Sequence, residues 1–177
     1  AFTASSRYLD AALAERVGEV ENVTIRSELR LAPPFLALLA DPEGRSFVLD
    51  SLFYGPLELM VPKGQRTWTP APLSFFEALF RRKDLHCDVA SFQVSPPDNE
   101  GYLHFAPSPA LAKTLAKDSR VFCAEINESY FPLRGSEDRR IHLSDVKYII
   151  EGDSPPMLGV PMPPVSDEDQ KIAAHVL

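Results

Sequence analysis

Residues 87–102 hold the feature that most restricts the fold, a short and continuously apolar run that stops against two prolines. Val89, Ala90, Phe92 and Val94 are too few for a helix and lack the alternation of a half-exposed strand, so they specify a strand buried on both faces. Ser95 ends it. Pro96 and Pro97 have no N–H to give a sheet ladder, Asp98 and Asn99 are turn formers, and Gly101 lets the chain reverse into a second short strand over 102–105. A strand of this kind needs covering layers above and below. In an open α/β sheet, the loop at its carboxyl end is where ligands sit; a stiff turn with no ligand is the plain alternative for 95–101.

The rest of the chain supplies those layers. Leu9, Leu13, Val17 and Val20 make one apolar stripe and predict a helix over 5–20, capped by Ser5 or Ser6, with a turn at Asn22. A β-branched strand follows at 23–27, then a loop at 29–34, a short helix at 35–40, a turn at 41–44 and a strand within 46–53. Residues 67–70 are extended. A helix starting at Pro72 or Leu73 places Phe75, Phe76, Leu79 and Phe80 on one side, and aromatics at that spacing form a core face. Beyond the central strand and its hairpin, Ser108 caps a helix over 109–117, and buried strands follow at 120–126 and 146–150. Helices alternating with continuously apolar strands predict an α/β fold, an open, mainly parallel Rossmann-like sheet flanked by helices.

Length and charge narrow the function classes. A chain of 177 residues forms one domain with a real core, and its formal net charge of −7 opposes a nucleic-acid surface, which needs clustered cations. No apolar stretch reaches membrane-spanning length, and the start lacks a signal-peptide pattern, so a soluble, cytoplasmic protein is expected. Cys87 and Cys123 lie in or beside buried strands without CxxC spacing and are read as small core residues. His86, His104, His142 and His175 show no metal-ligand spacing, so no metal site is assigned.

The 17 prolines, about twice the usual share, mark stiff junctions. Residues 127–140 form a polar loop after a buried strand, as 95–101 do, and the two loops are placed to flank one crevice. Residues 151–166 carry five prolines and two glycines and cannot continue a helix or a central strand. A new helix then begins at Ser166, with Asp169 at capping-box spacing. The organisation expected is an α/β domain over 1–150, then a connector and helix start over 151–177 that lead to a further domain.

The run FQVSPPDNEGY over 92–102 resembles the QVSPPDxxGY signature of the acetyl-CoA hydrolase and 4-hydroxybutyrate CoA-transferase family, within the acyl-CoA transferase superfamily. VFCAEIN over 121–127 and IHLSDVKY over 141–148, leading to Glu151, fit the same family in the same order, and residues 47–56 partly match its SFFLGP-like stretch. Where the family has a VNPNMPRTxGDS-like loop, this chain has INESYFPLRGS over 126–136; Asn127, Pro132 and Gly135 fit, while Glu128, Ser129 and Leu133 depart. The resemblance covers an amino-terminal half. It implies a Rossmann-like CoA-transferase fold, coenzyme A as a substrate rather than a bound cofactor, and acyl-CoA and a short-chain carboxylate as partners. It also implies a carboxyl-terminal domain or partner subunit, and a homo-oligomeric parent enzyme.

In that family a glutamate attacks the acyl-CoA thioester and holds CoA as a glutamyl thioester, with backbone N–H groups stabilising the oxyanion. The family places that glutamate and its glycine-rich CoA loop in the carboxyl-terminal half. Glu100, Glu125 and Glu151 lie outside the catalytic motif, so no catalytic residue is assigned to this chain. Gln93, Ser95, Asp98 and Asn127 are the expected substrate-facing residues, through side chains or backbone groups near the acyl or acceptor carboxylate. Two other roles fit the same residues: a separately encoded non-catalytic subunit, and a stand-alone module that binds carboxylates or CoA.

Overall fold

The computed structural model describes residues 6–27, 35–105, 111–133, 135, 137–156, 159 and 161–176. The loop expected over 29–34 and the cap expected at Ser108 lie outside the described residues.

Helix α1 (Arg7–Ala14) starts where the sequence places its cap: the Ser6 side chain accepts the Leu9 N–H at 3.3 Å. It ends earlier than the periodicity predicts. The chain leaves the helix before Gly18 (φ +83°), whose N–H donates to Ser46 Oγ at 2.9 Å, and Leu13, Val17 and Val20 still pack on the first core. Asn22 takes a left-handed conformation (φ +57°) and turns the chain into strand β1 (Val23–Ser27). Helix α2 (Leu36–Ala40) has no cap of its own; buried Asp10 of α1 accepts from the N–H groups of Leu36 (3.0 Å) and Ala37 (3.1 Å).

Strands β1, β2 (Phe47–Ser51) and β3 (Arg66–Trp68) form one parallel sheet in that order. Phe35, Leu38, Phe47, Leu49 and Val61 make its core. Two polar groups hold the turn at its edge. The buried Asp41 carboxylate accepts from the N–H groups of Arg45 (3.2 Å), Ser46 (2.7 Å) and Phe47 (2.9 Å). Gln65 Nε2 donates to the carbonyls of Asp41 (2.6 Å) and Phe47 (3.1 Å). Burial alone would push the Asp41 carboxyl up; the N–H groups of Phe47, Ser46 and Arg45, with the Arg45 charge behind them, outweigh it and hold the group below the usual carboxylate range.

Helix α3 (Leu73–Arg81), strand β4 (Val89–Val94), strand β5 (Tyr102–His104), helix α4 (Ala112–Asp118), strand β6 (Val121–Ile126), strand β7 (Arg140–His142) and strand β8 (Tyr148–Ile150) build the second unit. Its parallel sheet runs β4-β6-β8, with β4 and β6 in register from Val89 opposite Val121 to Val94 opposite Ile126. The expected α/β architecture with mainly parallel strands is present, but in place of one open sheet the antiparallel pair β5-β7 accompanies two parallel three-stranded sheets, β1-β2-β3 and β4-β6-β8. Arg26 of β1 bridges them: it pairs with Asp50 of β2 at 2.8 Å, donates to the His86 carbonyl at 2.6 Å and lies over the Phe80 ring at 6.0 Å.

The second core is aromatic. Phe92, Phe105 and Phe122 lie with ring centroids 6.0 to 6.2 Å apart, and Phe76 and Phe80 pack from α3 in the same cluster. Phe75 is the exception to the predicted stripe and is half-exposed, because it lies off the α3 face that meets the sheet. The strand expected after Gly101 does not form a hairpin with β4; β5 pairs antiparallel with β7, Tyr102 opposite His142. The chain does reverse at Gly101 as expected, with the Ser95 N–H donating to the His104 carbonyl at 3.0 Å and the Asp98 N–H to the Tyr102 carbonyl at 2.9 Å, but β5 makes its ladder with β7.

Residues 151–156 and 161–166 have no regular structure, and helix α5 (Asp167–Val176) follows. Its start is the predicted box: Ser166 Oγ accepts the Asp169 N–H (3.1 Å) and Asp169 Oδ2 accepts the Ser166 N–H (2.9 Å). All described residues of α5 are exposed. Among the described residues, no helix is long and apolar enough to cross a membrane.

Two outcomes follow for stability. The depressed Asp41 acid contributes fully above its unfolded pKa of about 4, and that contribution is lost as the pH falls through the lower folded value. Asp41→Asn is therefore expected to lower stability at neutral pH and to flatten its acid dependence below about pH 4; urea midpoints against pH that keep the wild-type slope would contradict this. Phe122→Ala, which opens the aromatic cluster, is expected to cost about 3–5 kcal/mol by denaturant unfolding.

Candidate functional site

The parallel register of β4 and β6 brings the carboxyl ends of two buried strands side by side. Gln93 stands opposite Glu125 and Val94 opposite Ile126, and the Asn127 N–H extends the ladder by donating to the Val94 carbonyl at 2.9 Å. The two loops singled out in the sequence leave the sheet here. All four expected substrate-facing residues lie at this edge, and each is held by bonds within the chain.

Ser95 is fully buried; its Oγ accepts the His104 N–H at 3.1 Å and donates to the Pro96 carbonyl at 2.8 Å. Asp98 organises the loop that follows. Its Oδ1 accepts from the N–H groups of Glu100 and Tyr102, both at 2.9 Å, and its Oδ2 lies 3.0 Å from His104 Nε2. The Tyr102 N–H first, and then the His104 ring, hold the Asp98 carboxyl below the usual carboxylate range. Asp98 is thus ionised and acceptor-only, so Nε2 carries the proton it shares with His104. His104 is buried, unlike the exposed His86 beside Asp88, and its Nδ1 has no hydrogen-bond partner among the described residues. Gly101 closes the turn with φ +82°, and a Cβ there would stand 2.9 Å from His142 Nε2.

On the β6 side, Gln93 Nε2 donates to Glu125 Oε1 at 2.6 Å, while Gln93 Oε1 accepts the Tyr130 hydroxyl at 2.8 Å. Glu125 Oε2 accepts from Ser6 Oγ (2.8 Å) and from the Tyr8 N–H (3.0 Å), which ties the start of α1 to the sheet edge. Asn127 Oδ1 accepts the Ser129 N–H at 2.9 Å, and its Nδ2 donates to the Pro155 carbonyl at 3.1 Å. Ser154 takes the Glu128 N–H on its Oγ (2.8 Å) and the Ser129 hydroxyl on its carbonyl (3.1 Å). The Asp153 N–H donates to the Tyr8 hydroxyl, and Gly152 passes so close to the Tyr8 ring that a Cβ would overlap it. The start of the connector is therefore bound across the end of β6.

Of the three carboxylates weighed in the sequence, Glu125 is the buried hub of this network, whereas Glu100 and Glu151 are exposed. Tyr130 and the Ser6–Tyr8 segment are contributors that sequence reasoning missed. One signal was available: Gln93 and Glu125 are polar residues at the same offset, fifth in two six-residue apolar strands, and parallel pairing in register makes them neighbours. Burial pushes both thiols, Cys87 and Cys123, above the usual range, so neither is an activated thiolate. Among the described residues, no group of three or more His, Cys, Asp or Glu side chains could hold a metal ion.

Comparison with known proteins identifies the family. The acetyl-CoA hydrolase/transferase N-terminal domain family matches residues 3–161. The 4-hydroxybutyrate coenzyme A transferase of Clostridium kluyveri is 35% identical over 132 residues, which cover 74% of this chain and 30% of that protein. The butyryl-CoA:acetate CoA-transferase of Anaerostipes caccae is 30% identical over 148 residues, covering 83% of this chain and 33% of that protein. The chain thus spans about a third of the length of these relatives. Among solved structures, 4-hydroxybutyrate CoA-transferase from Porphyromonas gingivalis superposes with a TM-score of 0.58 at 26% identity, over 84% of this chain and 40% of that one. RipA from Yersinia pestis shares the fold, with a TM-score of 0.81 at 22% identity over 99% of this chain and 42% of that one. Signature loop, strand register and family match converge, and the chain belongs to the acetyl-CoA hydrolase/transferase family, over that family's amino-terminal domain.

Proposed function

We propose that this chain is the amino-terminal half of an acyl-CoA hydrolase or CoA-transferase that moves coenzyme A between an acyl-CoA thioester and a short-chain carboxylate. The observation that carries this reading is the signature loop and the loop after β6 leaving adjacent parallel strands at the edge where α/β enzymes hold ligands, in a chain of this family. Coenzyme A is a substrate here. The reactive glutamate belongs to polypeptide outside this chain. Its carboxylate attacks the thioester carbonyl and CoA thiolate leaves as the mixed anhydride forms. The thiolate then attacks the glutamyl carbonyl, giving a glutamyl-CoA thioester and the free acid. An acceptor carboxylate runs these steps in reverse; water in its place gives hydrolysis.

In this reading Gln93, Ser95, Asp98 and Asn127 form one wall of the cleft. Because their polar atoms are engaged within the chain, they act as a fixed rim, presenting backbone groups and loop side chains at set positions to the acyl group and acceptor carboxylate. Residues 151–177 form the connector to the catalytic half, and the parent enzyme assembles from more than one copy.

The test is CoA exchange between acetyl-CoA or butyryl-CoA and short-chain acids, with trapping of the glutamyl-CoA adduct by borohydride and mass spectrometry. The longer polypeptide is expected to exchange and to trap; this chain alone is expected to do neither. Exchange at an enzymatic rate by this chain alone would overturn the proposal. A stable heteromer in native mass spectrometry would identify a separately encoded subunit instead. Saturable calorimetric binding of acetyl-CoA by this chain, with no exchange in the longer protein, would identify a binding module. Gly101→Ala, forced into a left-handed backbone and against His142, is expected to cost about 1–2 kcal/mol locally and to lower kcat/KM of the longer enzyme with an unchanged far-UV spectrum; an unchanged kcat/KM would remove the signature loop from the site.

A further inference from the structure

The bonds around Glu125 run in one direction. Glu125 is 2% exposed and receives donors on both oxygens, from Ser6 Oγ, the Tyr8 N–H and Gln93 Nε2. A carboxylate only accepts, so the Gln93 amide must present its NH2 to Glu125 and its oxygen to the other side. That oxygen meets the Tyr130 hydroxyl, which can only donate to it, at 2.8 Å. The Tyr130 ring is 8% exposed, and burial, followed by the Glu125 charge, keeps its phenol protonated above the usual range. A reversed Gln93 amide would set two acceptors against each other at Glu125 and remove the acceptor that Tyr130 uses.

Tyr130 lies in the stretch that departs from the family's loop pattern, and it is the point where that loop is fastened to the neighbouring strand. Its N–H bonds the Asn127 carbonyl at 3.0 Å, so the turn 127–130 is closed locally, while the hydroxyl pins it to β4. Asn127 and Ser129 pin the other side of the same turn to the connector. Next in the chain, Phe131 is 55% exposed and is presented by this fastened turn.

We infer that Tyr130 is a positioning residue for the acceptor acid: through Gln93, whose orientation Glu125 dictates, it sets the place of the loop that forms the β6 side of the cleft. The inference rests on the transferase reading above. Tyr130 does not react; it fixes the geometry in which the incoming carboxylate is held.

Tyr130→Phe in the longer enzyme keeps the buried ring and removes only the hydroxyl. The expected result is a KM for the acceptor acid raised about three- to tenfold, the factor one neutral hydrogen bond supports, with kcat within about twofold. Glu125→Gln frees the Gln93 amide to turn over, so it is expected to raise the same KM. Combined with Tyr130→Phe, it should add little further, because both changes break one linkage. Hydrogen exchange at the 127–130 amides should quicken in both variants, whether or not the acid is bound. If the wild-type longer enzyme exchanges CoA and Tyr130→Phe leaves the acceptor KM and this exchange unchanged, the inference falls and the transferase reading stands. A loss of melting temperature with no KM-against-kcat split would equally overturn it, since that is what a merely structural hydroxyl gives. A wild-type enzyme without CoA exchange overturns the transferase reading and this inference with it. Should Glu125→Gln fail to fold, Tyr130→Phe decides alone.

Discussion

The buried Glu125 carboxylate is the constraint on which the sheet edge depends. One parallel register sets it opposite Gln93, and no apolar residue at either position could tie together the start of α1, the middle of the sheet and the loop after β6. A side chain buried this deep is held because donors converge on both of its oxygens, and removal of one donor would leave a buried acceptor without a partner. The pairing therefore specifies as well as supports. It admits one orientation of Gln93, one position of Tyr130 and one path for residues 6–8.

The same device recurs across the molecule. Asp10 caps α2, Asp41 gathers the N–H groups of 45–47, Glu58 holds the Gly55 N–H at 2.8 Å, and Asp98 gathers those of Glu100 and Tyr102. A chain so rich in proline spends much of its length outside helices and ladders, where N–H groups lack regular partners. Carboxylates satisfy several such groups at once, and they do so more strongly than neutral acceptors. Part of the net negative charge is thus internal joinery rather than surface chemistry.

The same construction anchors the candidate site from within the chain. Two loops are anchored by bonds within the chain, to Asp98 on one side and to Gln93 and residues 154–155 on the other. Under the transferase reading proposed above, a preset wall of this kind lowers the entropic cost of aligning the acceptor. The bond between Asn127 and Pro155 also joins that wall to the start of the connector, so displacement of one is felt by the other.

Much of the architecture was legible in the chain itself. Continuous apolar runs marked β4 and β6, proline and glycine marked the loop after β4, and Ser166 with Asp169 marked the start of α5, because these signals are local: they depend on backbone freedom and on periodic burial over a few residues. The candidate residues Gln93, Ser95, Asp98 and Asn127 are placed at one sheet edge by the same logic. What their side chains face was decided only by tertiary contacts. Nothing in the sequence near Tyr102 announces that its strand will choose β7, some forty residues on, over β4. Nor could Ser6 declare its bond to Glu125, at a sequence separation of 119, since partners so distant are fixed by sheet register and packing rather than by neighbours along the chain.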